Sequence, residues 1–179
     1  MTRRLFIAVV LVTAFCGSYA ADAPAQTSRE YQIKAAFIYN FMQFVDWPQG
    51  TFADPKAPII IATLGPDPFN GLLDVAMKGR TVGQRSLVVR HFSNAADATK
   101  CQVLFVAADG DDQYSATMQK LGPTGILTVG ETEGFIQSGG IIRFYEKGTR
   151  LRFAINQNAA SRAKLQIRAK LLRLAAEEN

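Results

Sequence analysis

The feature that most constrains the fold is an alternation of buried-strand and helix patterns between residues 58 and 130. Ile59–Leu64 is a nearly continuous apolar run that stops at Gly65, and strand patterns recur at residues 85–92, 103–107 and 125–130. Apolar runs that lack polar alternation indicate strands covered on both faces. Because the intervening segments have helical patterns, we predict a single α/β domain with a mainly parallel sheet flanked by helices.

The C-terminal region has a different pattern. Residues 141–145 and 150–155 alternate apolar and charged side chains around a turn that contains Gly148. This arrangement predicts a β-hairpin with one buried and one solvated face. A final helix is predicted from about Gln157 to Ala175, with Asn156 or Asn158 as its N-cap.

A long helix is predicted before the first strand. Thr27 and Glu30 have the spacing of a capping box, and the proline of Trp47-Pro48 is expected to end the helix at Asp46. The side chains expected to face the core recur at helical spacing. They are Ile33, Phe37, Phe41, Phe44 and Val45.

The first 20 residues have the layout of an export signal. Arg3 and Arg4 precede an apolar run of about 11 residues, and small residues lead up to Ala20. That run is too short to span a bilayer of roughly 30 Å. We therefore predict cleavage after Ala20, a flexible leader at residues 21–27, and a domain at 28–179 that works in the periplasm without inserting into a membrane. The alternative is a lipoprotein with Cys16 as lipid acceptor.

Charge and cysteine content exclude two classes of protein. The formal charge is +5, and loss of the two leader arginines leaves +3. Lys and Arg are mostly scattered, whereas proteins that bind nucleic acid carry a clustered basic stripe. Without Cys16, Cys101 has no partner for an intramolecular disulfide. Cys101 is interpreted as a small buried residue, the alternative being an intermolecular disulfide.

No set of residues has the pattern of an active site or a metal site. His91 is the only histidine and lies in a strand pattern, and the loop after Gly65 lacks the spacing of a phosphate-binding loop. Asp109–Asp112 is interpreted as helix capping, the alternative being a Mg²⁺ or Ca²⁺ site. Glu131 and Glu133 are expected to be solvated in a turn. We therefore expect a protein that is not an enzyme and uses no cofactor.

Several segments, in order along the chain, resemble the YfiR family of exported, usually periplasmic, bacterial proteins. None is specific alone, and the resemblance depends on their ordered sum. They include Lys34–Phe41, Phe44–Pro48, Asp67–Phe69, Cys101–Val106, Leu127–Gly130, Gly139–Ile142, Arg152–Asn156 and Leu171–Ala175.

The resemblance implies a compact α/β domain with a regulatory role. The best-understood member represses a membrane-bound diguanylate cyclase by engaging its periplasmic domain, which lowers cyclic di-GMP and disfavours biofilm formation. Dimers occur in the family. Relatives often carry a cysteine in the strand equivalent to Ile60–Leu64 that can pair with the one matching Cys101. Ala62 lies in that strand here, so control through such a bond is not expected.

Two functional hypotheses follow. In the first, the protein is a non-enzymatic periplasmic regulator that binds the exported domain of a membrane-bound diguanylate cyclase. Tyr39 and Met42 are then candidate exposed contacts, unless they pack in the core. In the second, the protein is a periplasmic sensor of a small ligand such as a nucleotide or an amino acid. Arg143, Arg150 and Arg152 could then hold an anion, the alternative being a solvated strand face.

Overall fold

The computed structural model describes residues 22–107, 111–121 and 125–176, so the predicted signal at residues 1–20 lies outside the described residues. A 3-10 turn at Glu133–Phe135 accompanies the α-helices. The helices in these ranges are α1 (Asp22–Gln43), α2 (Leu72–Met77), α3 (Ala95–Ala98), α4 (Asp111–Leu121), α5 (Gln157–Arg162) and α6 (Ala169–Ala176). The strands in these ranges are β1 (Val45–Asp46), β2 (Ile59–Leu64), β3 (Thr81–Val82), β4 (Arg85–Phe92), β5 (Val103–Val106), β6 (Leu127–Gly130), β7 (Ile142–Lys147), β8 (Arg150–Ile155) and β9 (Gln166–Ile167).

Seven of the strands form one twisted sheet in the order β3-β4-β2-β5-β6-β7-β8. The five central strands are parallel, while β3 and β8 pair antiparallel at the two edges. Every residue of β5 and β6 is buried, as expected for parallel strands covered on both faces. The predicted α/β fold, mainly parallel sheet and C-terminal hairpin are confirmed.

The strand order creates a switch point between β2 and β5. From β2 the chain continues to β4, which is the neighbour of β2 on one side. It then crosses to β5, which is the neighbour of β2 on the other side. In open α/β sheets, the helix connections diverge at such a point and leave a crevice at the carboxyl ends of the strands. Gly65 ends β2 there with φ of 93°, and a Cβ at this position would collide with the carbonyl oxygen of Ala107, just after β5. This close approach requires glycine at residue 65.

The main core lies between α1 and one face of the sheet. Phe41 is fully buried, and its ring centroid lies 5.6 Å from that of Phe144 and 4.9 Å from that of Phe153. The helix is therefore held against the hairpin by aromatic packing, in addition to its contacts with the parallel strands. A smaller cluster on the opposite face includes Leu104, Val106 and Phe135.

Helix α1 differs from the prediction at both ends. It begins at Asp22, so residues 22–27 are helical, and Thr27 lies inside the helix rather than at its N-cap. The predicted capping box is therefore wrong. The helix ends at Gln43 rather than Asp46, because β1 pairs antiparallel with β9 near the C-terminus.

The buried face of α1 is also rotated from the predicted stripe. Ile33, expected in the core, is 42% exposed, whereas Lys34 is only 3% exposed. Ala35, Ile38 and Met42 are buried in the core with Phe41. Apolar residues cover so wide an arc of this helix that periodicity alone does not determine which part of it faces the sheet.

The predicted final helix is two helices separated by a strand. Asn156 caps α5 as one of the two predicted caps, because its side chain accepts a hydrogen bond from the Ala159 amide at 3.0 Å. The helix ends after Arg162, and Lys164 adopts a left-handed φ of 58° before β9. A final helix is present as α6, as predicted, but the prediction that it runs without a break from Gln157 to Ala175 is wrong.

Candidate functional site

A buried lysine forms the centre of a polar cluster at the carboxyl end of the parallel strands. The ammonium group of Lys34 donates to Glu131 Oε2 at 2.9 Å and forms an ion pair with Glu30. The Tyr31 hydroxyl donates to the same Glu131 oxygen at 3.2 Å, and Lys34 Nζ lies 4.4 Å from the Tyr31 ring centroid. We call Glu30, Tyr31, Lys34 and Glu131 the Lys34 cluster.

The Lys34 cluster joins α1 to the carboxyl ends of the parallel strands, where ligands bind in many α/β proteins. Glu131 directly follows β6, and the Tyr31 ring packs edge-on against Phe69, in the loop after β2, at a centroid distance of 5.2 Å. An open cavity of about 540 Å³ lies beside Tyr31 and Phe69. The expectation that Glu131 is fully solvated is wrong, since its side chain is only 28% exposed.

Two side-chain oxygens, one in this cluster and one in the next residue along the chain, accept no hydrogen bond from the part of the chain that the structure describes. They are Glu131 Oε1 and Thr132 Oγ1, and both atoms are buried. The cluster also has two carboxylates and one ammonium. Chemically it can therefore accept hydrogen bonds from a donor and is suited to positive rather than negative groups.

A second cavity, of about 870 Å³, is lined by the loop that follows α1. Aromatic side chains of Trp47 and Phe52 line it together with Arg85 and Arg168. The Arg85 guanidinium lies 3.7 Å from the Phe52 ring centroid and donates to the carbonyl oxygens of Asp54 and Ala57. This combination of aromatic rings and cations in a concave site is typical of small-molecule pockets.

A two-point ion pair lies at the side of this cavity. Arg168 donates from Nε to Asp46 Oδ2 at 3.0 Å and from Nη2 to Oδ1 at 2.7 Å. These hydrogen bonds hold the pKa of Asp46 below its usual value. They join β1 to the residue after β9, although 122 positions separate the two side chains.

The three arginines predicted to bind an anion lie on one face of the β7–β8 hairpin. The antiparallel register pairs Tyr145 with Arg152 and Lys147 with Arg150, while Arg143 lies opposite Ala154. Arg143 Nη1 donates to the Glu133 carbonyl oxygen at 3.4 Å, and Arg150 is exposed. This basic face lies outside the 870 Å³ cavity, whose lining includes none of the hairpin residues.

The two residues predicted as partner contacts have different environments. Met42 is 1% exposed, so it packs in the core, which was the alternative to its proposed role as a partner contact. Tyr39 is half-buried, its hydroxyl donates to the Thr81 carbonyl oxygen at 3.1 Å, and Arg80 lies 4.7 Å from its ring centroid. Tyr39 therefore reaches the surface where α1 meets β3.

Cys101 and His91 both contact neighbouring parts of the fold. Cys101 is 3% exposed, its thiol donates to the Ala98 carbonyl oxygen at 3.0 Å, and burial raises its pKa to about 12. His91 Nδ1 lies 2.7 Å from Thr63 Oγ1, and its Nε2 lies 3.4 Å from Asp74. A thiol with so high a pKa is not a nucleophile near neutral pH.

Residues 22–107, 111–121 and 125–176 contain no group of three or more His, Cys, Asp or Glu side chains arranged to hold a metal ion. No helix in these ranges is long and apolar enough to cross a membrane. The side chains of the Asp109–Asp112 loop lie outside the described residues, so its predicted capping role stays a prediction.

Sequence reasoning missed the Lys34 cluster and the Asp46–Arg168 pair. A single lysine among alanine, isoleucine and phenylalanine was a signal for the first, because an ionised side chain on a buried arc needs a partner. Nothing local marks the second, whose members belong to opposite ends of the domain.

Comparison with known proteins gives one match. The sequence model of a family described as YfiR/HmsC-like matches residues 31–176. No curated protein matches the chain in sequence. The matched residues begin at Tyr31 and include Lys34 and the whole seven-stranded sheet with its hairpin.

Proposed function

This chain belongs to the YfiR/HmsC-like family, and from that premise we propose that it is a non-enzymatic periplasmic regulator. It binds the exported domain of a membrane-bound diguanylate cyclase and represses the enzyme, which lowers cyclic di-GMP and biofilm formation. The family match over residues 31–176 is the observation that carries this proposal. The export signal predicted at residues 1–20, cleaved after Ala20, would deliver the protein to the periplasm.

The environments of the ionisable groups support a binding role rather than catalysis. Two ion pairs join distant parts of the chain. Lys34 pairs with Glu131, and Arg168 pairs with Asp46. Cys101 is buried with a raised pKa. Groups used in this way stabilise the fold rather than transfer protons.

Repression would work as a population shift. A cyclase whose exported domain exchanges between active and inactive conformations is driven to the one that binds this protein more tightly. The size of the shift is limited by the difference in affinity for the two conformations. No covalent chemistry is needed on this protein.

The contact surface that we propose is the side of the molecule formed by α1, α2 and the adjoining β3. Tyr39 reaches this surface, and Val75 on α2 is 73% exposed. A branched apolar side chain in solvent is suited to burial against a partner. Met42 is not part of this proposal, since it is buried.

Gene deletion tests the proposed function. In cells that express the cognate cyclase, deletion should raise cyclic di-GMP, and the wild-type gene should restore the low level. Val75→Glu should fail to restore it, whereas Val75→Thr, of similar size, should succeed. An unchanged level of cyclic di-GMP after deletion would contradict the proposal.

The second candidate function is that of a periplasmic sensor of a small ligand. The 870 Å³ cavity favours it, because this volume lies within the usual range for small-molecule sites. Titration calorimetry with nucleotides and amino acids tests binding. Loss of heat in Arg168→Ala would place the ligand in that cavity, and loss in Arg152→Ala would place it on the basic face of the hairpin.

A further inference from the structure

We propose that the outer edge of β4 accepts an extended segment of the partner as an additional strand. The segment has apolar side chains at alternate positions and a carboxylate beside Arg90. This inference rests on the proposed function, since the partner is the exported domain of the cyclase.

The edge of β4 is open over most of its length. Among the described residues, β3 covers only Arg85 and Ser86, while Leu87–Phe92 pairs solely with β2. Six residues of strand extend for about 20 Å. An edge of this kind presents a row of backbone donors and acceptors to any extended chain that can reach it.

The direction of the backbone groups is set by the neighbouring pairs. The Phe92 carbonyl oxygen accepts from the Gly65 amide on the β2 side. Because successive residues of a strand direct their backbone groups to opposite sides, those of Leu87, Val89 and His91 point away from β2.

Side chains along β4 indicate what the added strand should carry. Leu87 and Val89 pack against the main core but are only half-buried, unlike the fully buried strands β5 and β6. Apolar side chains on the added strand would complete their burial. Arg90, on the opposite face, is exposed and forms no ion pair with a described residue, so a carboxylate opposite it is favoured.

The β4 edge is continuous with the proposed contact surface. Tyr39 on α1 hydrogen bonds to the Thr81 carbonyl oxygen in β3, and β3 pairs with the first two residues of β4.

Amide hydrogen exchange tests this inference on the mature protein. The probe is the purified exported domain of the cyclase that the protein represses in cells. On complex formation, exchange of the outward-facing amides of Leu87, Val89 and His91 should slow by at least about tenfold, because added ladder hydrogen bonds protect them. A complex that leaves exchange of residues 85–92 unchanged overturns the inference while the proposed function stands. Absence of any complex overturns both.

Two pairs of variants sharpen the test. Val89→Pro, which removes an outward-facing amide, should bind about tenfold more weakly than Val89→Ala, which trims the same side chain but keeps the amide. Proline is tolerated at an edge position whose amide faces solvent. The second pair tests the carboxylate and does not depend on whether Val89→Pro folds. Arg90→Glu should weaken binding, whereas Arg173→Glu, on α6, should not. Equal affinity of Arg90→Glu and Arg173→Glu would contradict the predicted carboxylate.

A second copy of this chain is the alternative occupant. In that case sedimentation should show a dimer of the free protein, with residues 85–92 already protected as its concentration rises. That result would overturn the assignment of this edge to the cyclase.

Discussion

Lys34 donates to Glu131 at 2.9 Å across 97 residues of sequence, and this pair joins α1 to the end of β6. The lysine side chain is almost completely buried, while the carboxylate remains in partial contact with solvent. The ion pair thus connects the sheet-facing side of α1 to the carboxyl end of β6. Its removal provides the first test of the fold described above.

Glu131→Ala should lower the free energy of unfolding by about 2 kcal/mol, because the buried ammonium of Lys34 loses one of its two carboxylate partners. Urea unfolding measures the change. Glu133→Ala is the matched control, since Glu133 is exposed two residues further on, and it should change stability by less than about 0.5 kcal/mol. Equal effects of the two variants would contradict a stabilising role for the Lys34 cluster.

Phe41→Ala should lower the free energy of unfolding by about 3–5 kcal/mol, because it opens a cavity among Phe144 and Phe153. Ile33→Ala, on the exposed side of the same helix, should cost less than about 1 kcal/mol. Thermal and urea unfolding of both variants tests which side of α1 packs on the sheet. Because the predicted stripe contained both residues, a loss for Ile33→Ala as large as that for Phe41→Ala would show that Ile33 also packs in the core and would contradict the observed orientation of α1.

Gly65→Ala should lower stability by about 3 kcal/mol or more, since the added methyl group meets the carbonyl oxygen of Ala107 at a left-handed φ. Gly79 also has a positive φ, of 70°, but open space where its Cβ would lie. Gly79→Ala should therefore cost only about 1 kcal/mol. The difference between the two variants in denaturant midpoint isolates the steric term.

The Cys101 thiol should react about a thousandfold more slowly in the folded protein than an exposed thiol at pH 8, because burial raises its pKa to about 12. Reaction with a chromogenic disulfide reagent, with and without denaturant, measures this. The denatured protein, which exposes the same thiol, is the control. Rapid modification of the native protein, or a disulfide-linked dimer on a non-reducing gel, would contradict burial of this side chain.

The pair of Asp46 and Arg168 should make stability depend on acid. The pKa of Asp46 is lowered in the folded state, so its contribution is present above the ordinary value of 3.8 and is lost as the pH falls through the folded-state pKa. At pH 7, Asp46→Asn should have a lower urea midpoint than wild type, and the difference should shrink below about pH 4. Both side chains are about half-exposed, so the effect is small.

Arg168→Gln is the partner variant for this test. It should lower the midpoint by the same amount as Asp46→Asn, and the double variant should add little, because either change breaks the same pair. Additive losses in the double variant would show that the two side chains stabilise the protein through separate contacts.

Local patterns were enough to predict the class of fold. Runs such as Ile59–Leu64 have no polar alternation, so they had to be strands covered on both faces, and their alternation with helices required a parallel sheet. The hairpin around Gly148 and the cap at Asn156 also depend on short-range chemistry. The family resemblance, now matched over residues 31–176, rested on the same kind of local evidence.

The amino-acid sequence was therefore enough to predict the six longer strands, including the hairpin, and the family, but not the two-residue strands β1, β3 and β9. Three features were visible only in the folded chain: the strand order, the rotation of α1 that exposes Ile33 and buries Lys34, and the division of the last helix by β9. The reason is that these features depend on contacts between residues about a hundred positions apart, such as Lys34 with Glu131 and Asp46 with Arg168. Local periodicity carries information about neighbouring turns and strands, but not about which distant surface covers them.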